Sequence, residues 1–266
     1  MNMKCAFIFA LVLGMILLSF PTFGQESREV KKTIPLESDG KVCIDTYKGS
    51  IQIDTWDKPE VSIVVRIEAD GHGRKEQRKV QDTEIRIHSS DRNVDIKTDY
   101  SDIEERGFSF FGLFTGDNGS MPLVHYTITM PATARLKIKD YKSETTIKNL
   151  KASLRLETYK GSVEILRQDG PIDLETYKGD VRVEYARYTG ASTYETYKGK
   201  IDLTIPRDGG FNLDADIGRR AEFDTDFDFN RRHKSHDDET YHATVNGGGS
   251  SLRVSTEKGE INIRTR

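Results

Sequence analysis

Cysteine is nearly absent from this chain. Only Cys5 and Cys43 occur in 266 residues, so no disulfide framework holds the fold. Cys43 stands between Val42 and Ile44 on the opposite strand face, which suits a structural thiol better than a reactive one. An excess of one charge is absent too. The 40 basic and 43 acidic residues nearly cancel, for a net charge of −3. That balance gives no bulk attraction to nucleic acid. Catalytic signatures are missing as well. There is no Gly-x-Ser-x-Gly elbow, no phosphate-binding Gly-x-x-x-x-Gly-Lys-Ser/Thr loop and no His-Glu-x-x-His pair. The chain therefore reads as a non-enzyme that needs no cofactor. Only one long apolar run exists, residues 7–20.

That run follows Lys4 and ends before Thr22 and Gly24, which suit the −3 and −1 cleavage positions. Residues 1–24 read as a signal peptide and 25–266 as one mature β domain. The run is short for a membrane span. No cysteine sits at the cleavage site, which argues against a lipoprotein anchor. The expected location is periplasmic, cell-surface or extracellular.

What the sequence has is a repeated tetrapeptide. Thr-Tyr-Lys-Gly is intact at residues 46–49, 158–161, 176–179 and 196–199, and degenerate at 140–143 and 256–259. Apolar residues stand two and four places before the Thr and five and seven after it. Around Thr158 they are Leu156, Leu154, Val163 and Ile165. Alternation of period two marks strands with one buried face. Copies begin at 140, 158, 176 and 196, a period of 18 to 20 residues. The sixty residues before the copy at 256 leave room for three worn periods. A fixed period of this size signals stacked units that bury their apolar faces on each other. A hairpin meander and a β-solenoid both suit strand–turn–strand units. The solenoid is favoured, because it sets like turns above one another and so explains their identity. The expected fold is thus all-β: a single-stranded β-solenoid, clearest over 136–206, with a strand-rich N-terminal part. The repeated Gly is expected to supply positive φ at each turn.

Outside the array, residues 34–68, 84–88, 93–98 and 124–130 alternate as strands, and 74–81 form one short charged helix. The stretch 101–121 breaks the pattern. It holds Phe108, Phe110, Phe111, Leu113 and Phe114. Such a loop either folds back over an end of the core or presents an apolar patch to a membrane or an envelope protein. Near the C-terminus, Asp224, Asp226 and Asp228 form an acidic strand face. His233, His236, Asp237, Asp238 and His242 have spacings that could offer metal ligands. A mixed-charge loop accounts for them better, and no metal site is assigned.

The repeated Tyr and Lys carry the main functional signal. In a solenoid, Tyr141, Tyr159, Tyr177 and Tyr197 stack on one edge, with Lys142, Lys160, Lys178 and Lys198 beside them. Regular aromatic and ammonium groups suit a polysaccharide or another envelope polymer. The alternative is structural, with stacked rings shielding the turn edge and cation–π contacts offsetting lysine repulsion.

Three stretches carry a family resemblance: residues 44–53 followed by Trp56-Asp-Lys-Pro-Glu-Val, Tyr126-Thr-Ile-Thr-Met-Pro, and the closing Gly247-Gly-Gly-Ser-Ser-Leu-Arg-Val-Ser-Thr-Glu-Lys-Gly-Glu-Ile-Asn-Ile. Over the whole mature chain it resembles the exported bacterial DUF4097-type adhesin family. That resemblance implies a β-solenoid, export and an interaction role without assigned catalytic residues. The family usually has Val-Ser-Gly or Val-Asn-Gly where this chain has Tyr-Lys-Gly.

Overall fold

The computed structural model describes residues 27–105, 120–228, 232–234 and 238–266. Residues 1–24, expected to be a signal peptide, and Phe108, Phe110, Phe111, Leu113 and Phe114, expected to form a loop, lie outside the described residues. In chain order the first strands are β1 (Ser27–Pro35), β2 (Lys41–Asp45), β3 (Lys48–Trp56) and β4 (Glu60–Glu68). Helix α1 (Arg74–Asp82), β5 (Glu84–Ser90), β6 (Asn93–Asp99) and the short α2 (Ser101–Glu105) follow. The sequence pattern predicts α1 but not α2. Next come β7 (Leu123–Pro131), β8 (Arg135–Lys139), β9 (Lys142–Lys148), β10 (Leu154–Thr158), β11 (Val163–Gln168), β12 (Ile172–Thr176) and β13 (Val181–Tyr185). Then follow β14 (Ser192–Thr196), β15 (Lys200–Ile205), β16 (Phe211–Gly218), β17 (Glu222–Thr225), β18 (Arg232–Lys234), β19 (Asp238–Val245), β20 (Ser250–Thr256) and β21 (Glu260–Thr265).

The fold is a β-solenoid. Each coil places one strand before the tetrapeptide in one sheet and one strand after it in a second sheet. The first sheet runs β8-β10-β12-β14 through its middle and the second β9-β11-β13-β15. All of these pairs are parallel and in register, apart from a shift between Leu166 and Gln168 where β11 pairs β13. Leu154 faces Ile172, Leu156 faces Leu174 and Thr158 faces Thr176, while Val163 faces Val181. The apolar frame read from the sequence is the filling between the sheets. Leu154, Leu156, Val163 and Ile165 are each at most 3% exposed, as are Ile172, Leu174, Val181 and Val183. Fully burying an aliphatic side chain of this size contributes about 1.5–3 kcal/mol, so each coil is stable only between neighbours.

The order of coils in space departs from their order in sequence at both ends. β2 and β3 stack directly on β8 and β9. The intervening β6 and β7 form the coil outside them. At the other end β20 and β21 stack on β14 and β15, and β16 with β17 lies beyond. The sixty residues before Thr256 therefore hold one displaced coil plus the antiparallel β19 and β18, not three worn periods. Antiparallel strands also close the opposite end, where β4 and β1 extend one sheet and β5 the other.

The repeated glycines correct a second expectation. Gly49 has φ of 137°, but Gly161, Gly179, Gly199 and Gly259 are not among the residues with left-handed φ. They are glycines because coils meet there. A Cβ on Gly179 would lie 1.9 Å from the Gly161 carbonyl oxygen, and one on Gly199 or Gly259 would lie 2.1 Å from the glycine carbonyl of the preceding coil. Backbone on both sides leaves nothing soft to yield. Gly179→Ala is expected to destabilise by about 3 kcal/mol or more through forced separation of the coils. Gly247→Ala, at φ 80° with nothing within 4 Å, is expected to lose only about 1 kcal/mol. Urea unfolding of the two variants checks the contrast.

Candidate functional site

The turn that carries the tetrapeptide is built by its buried Thr. Thr158 Oγ1 accepts a hydrogen bond from the Gly161 amide at 3.1 Å. Thr176, Thr196 and Thr256 accept the equivalent bond at 2.9 Å from Gly179, Gly199 and Gly259. The local bond fixes the turn and points the residue after Thr outward. Rung-to-rung bonds then lock turn on turn: the Lys178 amide donates to the Tyr159 carbonyl and the Lys198 amide to the Tyr177 carbonyl, each at 3.0 Å.

This backbone registry stacks the tyrosines. Tyr47, Tyr141, Tyr159, Tyr177 and Tyr197 form one column with centroid spacings of 4.9, 4.9, 4.7 and 4.8 Å. No neighbouring pair of rings is tilted by more than 10°. The spacing equals the strand separation of a sheet. Tyr47, from the earliest copy of the motif, joins the four expected tyrosines because β3 stacks on β9. Both ends of the column are covered. Tyr100 meets Tyr47 edge-on at 6.4 Å, with Tyr47 and Tyr100 packed against Ile103 and Met121. At the far end the repeat has Glu257 in place of Tyr, and Lys258 Nζ donates to the Tyr197 hydroxyl at 2.5 Å.

Lys142, Lys160, Lys178 and Lys198 are exposed at equivalent positions. Lys160 Nζ and Lys178 Nζ each lie 5.3 Å from the ring centroid of the tyrosine before them. On the other side of the ladder is a groove of about 550 Å³, and these lysines do not line it. Its floor is the Thr column, with Tyr141, Tyr159, Tyr177 and Tyr197 on one side and Glu157, Glu175 and Glu195 on the other. The glutamates face one another in register across β10, β12 and β14. The sequence reading missed this column, although a Glu directly before each intact Thr of the array was its signal.

Asp140 replaces Thr in one copy. Its Oδ1 accepts from the Ser143 amide at 2.7 Å, so it does the work of the hydroxyl, while Oδ2 has no partner. Burial pushes its carboxyl up to about 6 despite that hydrogen bond. Elsewhere, Lys48 binds both Asp70 and Ser120. The Lys48 ammonium holds Asp70 below its ordinary value, so this cluster is a charged latch without an available base. Among the described residues no group of three or more His, Cys, Asp or Glu could hold a metal; the side chains of His233, His236, Asp237 and Asp238 lie outside them. The acidic pair Asp224 and Asp226 is neutralised by Arg264, at 2.7 and 3.2 Å. Cys43 is free and half-buried. No helix among the described residues is long and apolar enough to cross a membrane.

A family model described as Toastrack DUF4097 matches residues 10–264. No match was found among curated proteins. Among solved structures, a proposed cell adhesion protein from Clostridium sporogenes is 10% identical with a TM-score of 0.49, over 91% of this chain and 100% of its own. A proposed adhesin from Bacteroides fragilis is also 10% identical, with a TM-score of 0.29 over 90% and 97%. A proposed lipid binding protein from Parabacteroides distasonis is 9% identical, with a TM-score of 0.29 over 90% and 96%.

Asp140 gives a pH test. The folded carboxyl keeps its proton to about pH 6, and the unfolded one releases it near pH 4. The protonated form is favoured by folding, so this contribution is complete below about pH 4 and is lost as pH rises through about 6. The difference is worth up to about 3 kcal/mol. Asp140→Asn is expected to raise Tm at pH 7 and to remove that fall, which melting curves from pH 4 to 8 would show.

Proposed function

We propose, from the premise that this chain belongs to the Toastrack DUF4097 family, that it is an exported, non-enzymatic binding protein of the cell envelope or surface whose recognition face is the tyrosine ladder. Residues 1–24 serve as the export signal and 25–266 as the binding domain. The observation that carries this reading is the five-ring column on rigid backbone, beside an open groove. Its hydroxyls and ring edges repeat at one fixed interval. A partner with its own repeat, such as an envelope polysaccharide, gains one weak contact per rung. The sum is large because the array is already ordered before binding. Tyrosine is suited to this, giving wide contact area with few rotatable bonds.

Stacking also stabilises the turns, by about 0.5–1.5 kcal/mol per ring pair, so stability and binding must be read together. Tyr177→Ala alone is expected to weaken polymer binding slightly. The triple change Tyr159→Ala, Tyr177→Ala and Tyr197→Ala is expected to abolish it while the solenoid still folds, with Tm lowered. Melting curves and a glycan array on residues 25–266 check both. A wild-type protein that retains no polymer on the array, together with a large loss of stability in the triple variant, would leave the ladder as scaffold alone.

A further inference from the structure

We infer that the groove beside the ladder takes an extended chain carrying ammonium groups, laid along the solenoid axis across successive coils. The inference rests on the ladder being a recognition face and names the chemistry that the face selects.

Charge pairing along the sheets draws attention to this groove. Many outward charges in neighbouring coils are matched, and where Glu222 faces Glu260 the second carboxylate has a lysine partner. Arg155 lies 3.0 Å from Glu157 and 3.4 Å from Asp173, Lys200 lies 3.1 Å from Glu260, and Arg253 lies 3.4 Å from Asp214. Glu175 and Glu195 lack such a partner. They are paired with each other in register on adjacent parallel strands. Neither has an ion pair or hydrogen bond among the described residues, and both line the groove. Like charges directly opposite on a sheet destabilise it. Glu257 adds a third carboxylate at the far end of the same groove. An ammonium bound between these groups would relieve the repulsion.

The opposite wall fits the same ligand. Ring faces inside the column are covered by their neighbours, so the groove meets ring edges and hydroxyl oxygens. Methylene or sugar carbons pack on the edges, and the hydroxyls accept from N–H donors. The protein already contains this contact. Lys258 places its own ammonium on the last ring, 4.7 Å from the Tyr197 centroid and bonded to its hydroxyl. A second ammonium-bearing chain in the groove would repeat the hydroxyl bond of that contact rung by rung. An acidic polymer is disfavoured here, since it would face the glutamates, and Lys139 at one end is the lysine that lines the groove.

Two sources carry this chemistry: a free linear polyamine and an amino-sugar polymer. The test is calorimetric titration of residues 25–266 with spermine and with a glucosamine oligomer, using a maltodextrin and an alginate oligomer as neutral and acidic probes. Either amine probe is expected to bind, with affinity falling at least tenfold as salt rises from 50 to 300 mM. Binding by spermine alone assigns the free amine, and binding by the oligomer alone assigns the polymer. The double variant Glu175→Gln with Glu195→Gln is expected to lose at least tenfold in affinity and to melt no lower than the wild type. No amine binding at 50 mM salt, or amine binding unchanged in the double variant, would overturn the inference. Tyrosine-dependent binding of maltodextrin or alginate in either case would leave the ladder as a recognition face for a different polymer.

Discussion

Everything in this structure depends on how closely one coil sits on the next. At the turn that distance is set by a glycine Cα against the glycine carbonyl of the preceding coil, too close for any side chain. The buried Thr hydroxyl holds the turn in the one shape that permits this approach. Parallel strand pairing then propagates in register on both sides of the turn, and the apolar frame closes between the sheets. Ring stacking is a consequence. Once turns repeat at the strand spacing, tyrosines one residue beyond each Thr must lie face to face.

The same constraint explains which coils carry the motif. The six copies beginning at residues 46, 140, 158, 176, 196 and 256 are contiguous in space though not in sequence. The coils formed by β6 with β7 and by β16 with β17 lie outside them and lack it. A copy is needed only where a turn is stacked on another turn of the same kind. The worn copy at 140–143 lies where β3 and β9 pair through the turn itself, Lys48 to Lys142 and Gly49 to Ser143. Ser143 there is a strand residue, and the Asp140 carboxylate reaches its amide instead of a Thr hydroxyl.

Much of this was legible in the sequence. The period, the apolar frame and the alternation define a solenoid, and the DUF4097 resemblance agrees with the family match. The four tyrosines from 141 to 197 are brought together as expected. What was not legible has physical causes. Spacing along the chain cannot reveal that β20 leaps back to stack on β14, because strand pairing is decided by fit and not by proximity in sequence. Glycine is required equally by positive φ and by close approach, and only coordinates separate the two. The glutamate column stayed hidden because a charged residue at an outward strand position is ordinary. Its meaning comes from Glu175 and Glu195, which face each other on adjacent coils while Arg155 pairs with Glu157.

The central claim is that a preordered tyrosine column, held by the turns, meets its ligand along one side. Ring-labelled tyrosine NMR tests it most directly. In the free protein, Tyr141, Tyr159 and Tyr177 should show strong ring-current shifts from neighbours on both faces. On titration with a glucosamine oligomer or spermine, the resonances of Tyr159, Tyr177 and Tyr197 should move together and saturate at one ligand concentration, while those of the buried Tyr126, Tyr185 and Tyr194 stay fixed. Ladder rings without mutual ring-current shifts, or ligand-induced shifts confined to tyrosines outside the ladder, would contradict the account.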